Sequence, residues 1–108
     1  MRTAFAHAAL VRSDPSRRAV LAQPPAQIRL WFNEKIEADY SSASVVDEAG
    51  RTVSTGQAHA SPDDPKLLVL ELPVLGPGRY SVHYRINSLD GHVVEASYDF
   101  TVGSAGAK

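Results

Sequence analysis

Two runs near the end of the chain do most to limit what it can fold into. In residues 79–88, Tyr80, Val82, Tyr84 and Ile86 fall on one side of an extended backbone, and Ser81, His83, Arg85 and Asn87 fall on the other. Val94, Ala96, Tyr98, Phe100 and Val102 repeat the pattern in residues 94–102. A period of two belongs to a strand with one face buried, and it scatters apolar residues around a helix of 3.6 residues per turn. Each run therefore reads as a long strand with one face in the core, and the rest of the chain must supply a second layer to cover that face.

The remaining segments supply it in short pieces. Residues 8–11 read as a first edge strand, ended by Ser13-Asp14-Pro15, and residues 16–25 as a loop with one short turn before Pro24-Pro25. In residues 27–33, Ile28, Leu30 and Phe32 alternate with Arg29, Trp31 and Asn33, as in a half-buried strand. Residues 42–47, the turn Asp47-Glu48-Ala49-Gly50 and residues 51–55 read as a hairpin. Residues 56–65 read as a polar linker whose Ser61-Pro62-Asp63-Asp64-Pro65 cannot continue a strand. Residues 66–72 are apolar enough for a strand covered on both faces, and 73–78 turn through Gly76-Pro77-Gly78. The expected fold is all-β: a single antiparallel Greek-key sandwich, immunoglobulin-like or cupredoxin-like, of about seven strands. Helix is at most a minor component.

Composition removes several functions. A chain of 108 residues is one domain with enough core to fold unaided. It has no cysteine, which excludes disulfides, thiolate metal sites and cysteine nucleophiles. With 11 basic against 12 acidic side chains and no basic stripe, neither nucleic acid nor a membrane surface is an expected partner.

The chemistry gathers at Asp90-Gly91-His92, read together with His7. Gly91 lets the backbone turn tightly between a carboxylate and an imidazole, and His7 would add a second imidazole. Such mixed nitrogen and oxygen donors suit Cu(II) or Ni(II) in a tetragonal plane or Zn(II) in a tetrahedron. Asp-Gly is also among the commonest hairpin turns, so the tripeptide by itself reads as a turn before it reads as a metal site. Ala4-Phe5-Ala6 before His7 has the small-x-small form of a signal-peptidase site, although no apolar core precedes it. Residues 1–6 are thus expected to be a residual signal-peptide or expression tail, residues 7–102 the binding domain, and 103–108 a flexible C-terminal tail.

Several pieces taken in order carry a resemblance: His7-Ala8 with Leu10-Val11 and Ser13-Asp14-Pro15; Leu30-Trp31-Phe32-Asn33-Glu34; Gly78-Arg79-Tyr80-Ser81-Val82; and Tyr84-Arg85-Ile86 leading into Ser88-Leu89-Asp90-Gly91-His92. The chain resembles the CopC/PcoC family of periplasmic copper-binding, copper resistance proteins, from His7 through the closing Tyr98, Phe100, Thr101 and Val102. The resemblance implies a small β-sandwich that binds Cu(II) with a mature N-terminal histidine and the Asp-Gly-His loop. By position His7, Asp90 and His92 would be ligands, with Glu34 beside the site as a fourth candidate. A free amine and the Nδ1 of one residue close a chelate ring, so His7 as first residue would give two nitrogens. In a chain that starts at Met1 that amine is an amide. Copper binding is expected to weaken as pH falls through the imidazole and amine range.

Departures from the family pattern are informative. Some members carry a second, Cu(I) site in a methionine-rich loop; Met1 is the one methionine here, so that site is expected to be missing. Tyr84 stands where many relatives have tryptophan. His59 and His83 read as surface histidines, Trp31 as a half-buried rim aromatic, and Asp63 and Asp64 as turn formers without the ligand count that calcium needs.

Three classes of function follow. The first is a periplasmic carrier or reservoir of copper, monomeric, partnered by an inner-membrane copper importer or another periplasmic copper protein. The second is a structural or interaction sandwich whose histidines are incidental. The third is a copper oxidase, against which stand the small size and an Asp90 occupying the position oxygen would need. No hydrolase arrangement is visible, and the chain reads as a non-enzyme.

Overall fold

The computed structural model describes residues 8–103. Eight strands, β1 (Leu10–Asp14), β2 (Val20–Leu21), β3 (Gln27–Phe32), β4 (Ser42–Asp47), β5 (His59–Ser61), β6 (Asp64–Glu71), β7 (Gly78–Asn87) and β8 (Val93–Val102), form two four-stranded sheets. The orders are β1-β3-β6-β5 and β2-β8-β7-β4. The one helical element among the described residues is a 3-10 turn, Ala38–Tyr40.

Alternation decides which faces meet. Ile28, Leu30 and Phe32 of β3 and Leu68 and Leu70 of β6 bury against Val45 of β4, Tyr80, Val82, Tyr84 and Ile86 of β7, and Tyr98, Phe100 and Val102 of β8. Each fully buried aliphatic or aromatic side chain contributes ~1.5–3 kcal/mol relative to exposure. Two aromatic pairs stiffen the interior: Phe32 meets Tyr84 edge-on at 5.8 Å, and Tyr80 stacks on Phe100 at 5.5 Å. The tyrosine hydroxyls do not go unmet, since Tyr80 donates to Gly76 O at 2.7 Å and Tyr98 to Pro15 O at 2.8 Å. On the outer face of β3 the half-buried Trp31 carries two guanidiniums over its ring, Arg12 at 4.4 Å and Arg29 at 5.2 Å.

The expected all-β sandwich and its long strands stand as the alternation predicts, and the differences lie in its shorter elements. The sandwich has eight strands where about seven were expected, and it is not purely antiparallel, because β2 pairs parallel with β8. Residues 16–25 are therefore not simply loop. Arg18 takes a left-handed φ of 64° and donates its N–H to Asp99 O at 2.7 Å, which turns the chain onto the edge of β8. The segment expected to complete a hairpin after β4 returns without forming a strand, held by a Val46–Thr52 bridge and by the Asp47 N–H on Arg51 O at 2.9 Å and the Val53 N–H on Val45 O at 2.8 Å. There the Ser54 hydroxyl accepts the Val45 N–H at 3.0 Å in place of a backbone carbonyl. Residues 56–65 are not a linker either: β5 and β6 form a tight hairpin around Pro62-Asp63. Its turn is closed by side chains, with the Asp63 N–H on Ser61 Oγ at 3.3 Å and the Lys66 N–H on Asp64 Oδ1 at 2.9 Å. The first strand also starts later than expected, at Leu10.

Candidate metal centre

The loop between β7 and β8 is where the candidate donors sit. The ten-pair ladder of these strands ends at Asn87–Val93, and the next five residues close on themselves. The Ser88 N–H donates to His92 O at 2.9 Å, and the Gly91 N–H to Ser88 O at 3.0 Å. Gly91 has φ +90°, a conformation side chains other than glycine's rarely take, and it lets the chain reverse between Asp90 and His92.

Asp90 and His92 are brought together. His92 Nδ1 lies 3.0 Å from Asp90 Oδ2, with the two side chains 50% and 31% exposed. Asp90 Oδ1 points inward, accepting the Ser88 hydroxyl in a short hydrogen bond and the His92 N–H at 3.2 Å. The Ser88 hydroxyl, foremost, and then the His92 ring hold the Asp90 carboxyl down to about 2. The carboxylate is thus ionised wherever the protein is folded near neutral pH.

This spacing suits a metal ion. Two donors on adjacent corners of a square plane, each ~2.0 Å from the ion, are ~2.8 Å apart. The 3.0 Å between Asp90 Oδ2 and His92 Nδ1, bridged by the ring proton in the free protein, is close to that. A neutral imidazole nitrogen is a donor of intermediate hardness and a carboxylate oxygen a hard one, a mixture fitted to a divalent transition metal.

Other chain segments reach the same end of the sandwich. Ala9 exchanges bonds with Asn33, its N–H on Asn33 Oδ1 at 2.9 Å and its O accepting the Asn33 N–H at 3.0 Å. Ile36, two residues beyond Glu34, bridges to Ser88. Glu34 itself is half-buried and makes no side-chain hydrogen bond or ion pair with another described residue. Among the described residues no group of three His, Asp or Glu side chains gathers, so Glu34 does not join Asp90 and His92 in one. His7 lies outside the described residues. Ala8, which follows it, is buried in the core at 1% exposure.

The remaining histidines stand apart from the loop. His83 is exposed in mid-strand, paired with Ser44 and Ser97. His59 is exposed as expected but not partnerless, its Nε2 lying 3.8 Å from Glu71 Oε2. Sequence reasoning missed Ser88, whose spacing two residues before an aspartate signals a local side-chain turn.

Residues 10–103 match the family model described as the CopC domain. The chain belongs to the CopC family. Its CopC fold superposes on the crystal structure of CopC from Methylosinus trichosporium OB3b with a TM-score of 0.86 at 39% identity, covering 91% of this chain and 95% of that one. PcoC, described as a methionine-rich copper resistance protein from Escherichia coli, gives 0.81 at 28% identity, over 90% and 99% of the two chains. Among curated relatives, copper resistance protein C of Xanthomonas campestris pv. juglandis is 34% identical over 93% of this chain and 83% of its own length. The copper transport protein CutJ of Bacillus subtilis is 30% identical over 96% of this chain, which spans only 19% of that longer protein. No helix among the described residues is long and apolar enough to cross a membrane.

Proposed function

We propose that this CopC domain is a periplasmic Cu(II)-binding protein of copper homeostasis, holding one ion with Asp90, His92 and a mature N-terminal His7. The observation that carries the reading is the Asp90 Oδ2–His92 Nδ1 pair, set 3.0 Å apart on a closed loop. The names of its relatives, copper resistance and copper transport proteins, support copper as the ion. His7 as first residue contributes its amine and Nδ1, so three nitrogens and the Asp90 oxygen make the planar set Cu(II) favours. Glu34 lies in the segment that leads into the Ile36–Ser88 bridge, but its side chain does not gather with Asp90 and His92, and the proposed ligand set does not include it.

The chain lacks a thioether cluster, its one methionine being Met1, so the bound state is the cupric one. It is not an enzyme: a fully occupied plane leaves no equatorial position for oxygen. Its task is to carry or sequester copper as a monomer and pass it to an inner-membrane importer or another periplasmic copper protein. The test is a Cu(II) titration of the chain beginning at His7, followed by electron paramagnetic resonance, beside His92→Ala and Asp90→Ala. One equivalent bound with nitrogen hyperfine structure, weakened in both variants, supports the reading. Equal binding by all three, or none by any, marks a sandwich module whose histidines are incidental.

A further inference from the structure

We infer that Ser88 is a positioning residue of the copper site, locking one oxygen of Asp90 so that the other alone faces the metal; this rests on the Cu(II) reading above. Ser88 is the one buried polar residue recorded among those described, at 1% exposure. A buried hydroxyl needs a partner, and this one has the loop itself. Its Oγ donates to Asp90 Oδ1 and lies 3.2 Å from His92 O, while its backbone N–H holds His92 O and its carbonyl holds the Gly91 N–H.

The consequence is a division of labour within one carboxylate. Asp90 Oδ1 accepts two donors, the Ser88 hydroxyl and the His92 N–H, both fixed by the loop backbone. Oδ2 is left toward His92 Nδ1. A free carboxylate turns about its last torsion and offers both oxygens, whereas a carboxylate pinned at one oxygen presents the other as a single monodentate donor. That is the form a square plane accepts beside an imidazole. The clamp is in place before any metal arrives, so binding does not have to order Asp90. Ser88 is itself anchored from behind by the bridge to Ile36, which ties the clamp to the segment holding Glu34.

The experiment measures Cu(II) affinity by chelator competition and the paramagnetic resonance spectrum in the His7-started chain and in its Ser88→Ala, Ser88→Thr, Asp90→Ala and His92→Ala variants. Tautomer-sensitive nitrogen NMR of the metal-free His92 ring runs alongside. Ser88→Ala is expected to bind about tenfold more weakly. It should also show an altered copper hyperfine splitting and lose the fixed Nδ1–H state of the free ring. Ser88→Thr, which keeps the hydroxyl, should stay within about twofold of the parent. If Ser88→Ala does not fold, Ser88→Gly takes its place in the same comparison. Affinity, spectrum and ring signal unchanged in Ser88→Ala, or an equal loss in alanine and threonine, overturns the inference. If Asp90→Ala and His92→Ala also bind copper like the parent, the Cu(II) assignment itself fails, which separates the two failures.

Discussion

Asp90 turns its two carboxylate oxygens to different tasks: Oδ1 takes hydrogen bonds from Ser88 and the His92 backbone, and Oδ2 meets the His92 ring at 3.0 Å. The same five residues close the β7–β8 hairpin and present a nitrogen and an oxygen at the spacing of adjacent metal ligands.

The first prediction concerns pH. The folded loop lowers the Asp90 carboxyl from its ordinary 3.8 to about 2, so the ionised form is favoured in the native state. A depressed carboxylate contributes stability that is fully present above about pH 4 and is lost as pH falls through about 2. Carbon-detected NMR titration of the metal-free protein should find the Asp90 midpoint near 2. The midpoint should rise toward the ordinary value in Ser88→Ala, since the serine hydroxyl is the largest cause. A midpoint already near 3.8 in the parent would show that the clamp does not hold in solution.

The second concerns the fold. The Tyr98 hydroxyl, on a side chain 4% exposed, ties β8 to Pro15 O at 2.8 Å, and burial raises the phenol to about 12. Tyr98→Phe removes the donor and leaves a carbonyl without it, at a cost of ~1–3 kcal/mol. Chemical denaturation should show that loss with an unchanged slope, and with copper affinity unaltered. A phenylalanine variant as stable as the parent would mean the bond contributes nothing net.

A third follows from the donor set. Cu(I) prefers thioethers and thiolates, and the chain has no cysteine and a single methionine. Competition against a Cu(I) chelator under reducing conditions should strip the protein completely. Retention of Cu(I) against the chelator would contradict a site that favours the cupric ion.

Much of the architecture could be read from the residues, for a physical reason. In β3, β7 and β8 the alternation runs over 6, 10 and 10 residues, long enough for one face to be unmistakably apolar. The two residues of β2 and three of β5 are too few to show a period; β2 is held by backbone bonds to β8, distant in sequence, and β5 by a hairpin to β6. The hairpin expected after β4 lacks its second strand because the Ser54 side chain takes the place of a ladder carbonyl. At the site, Asp90 and His92 announced themselves by residue type and spacing. Ser88 did not, because a serine's part depends on its being buried, which only the packing of Ile36 and β7 decides. Glu34 followed from the resemblance alone, and its side chain stays apart from the pair.

The most direct test of the account compares Cu(II) affinity in the chain beginning at His7 with that in the chain beginning at Met1, each with and without His92→Ala. The account predicts one tightly held ion in the His7-started protein, with a tetragonal resonance showing nitrogen hyperfine structure. It predicts at least ~10-fold weaker binding when the His7 amine is an amide or the His92 ring is removed. Equal affinity in all four proteins would contradict it.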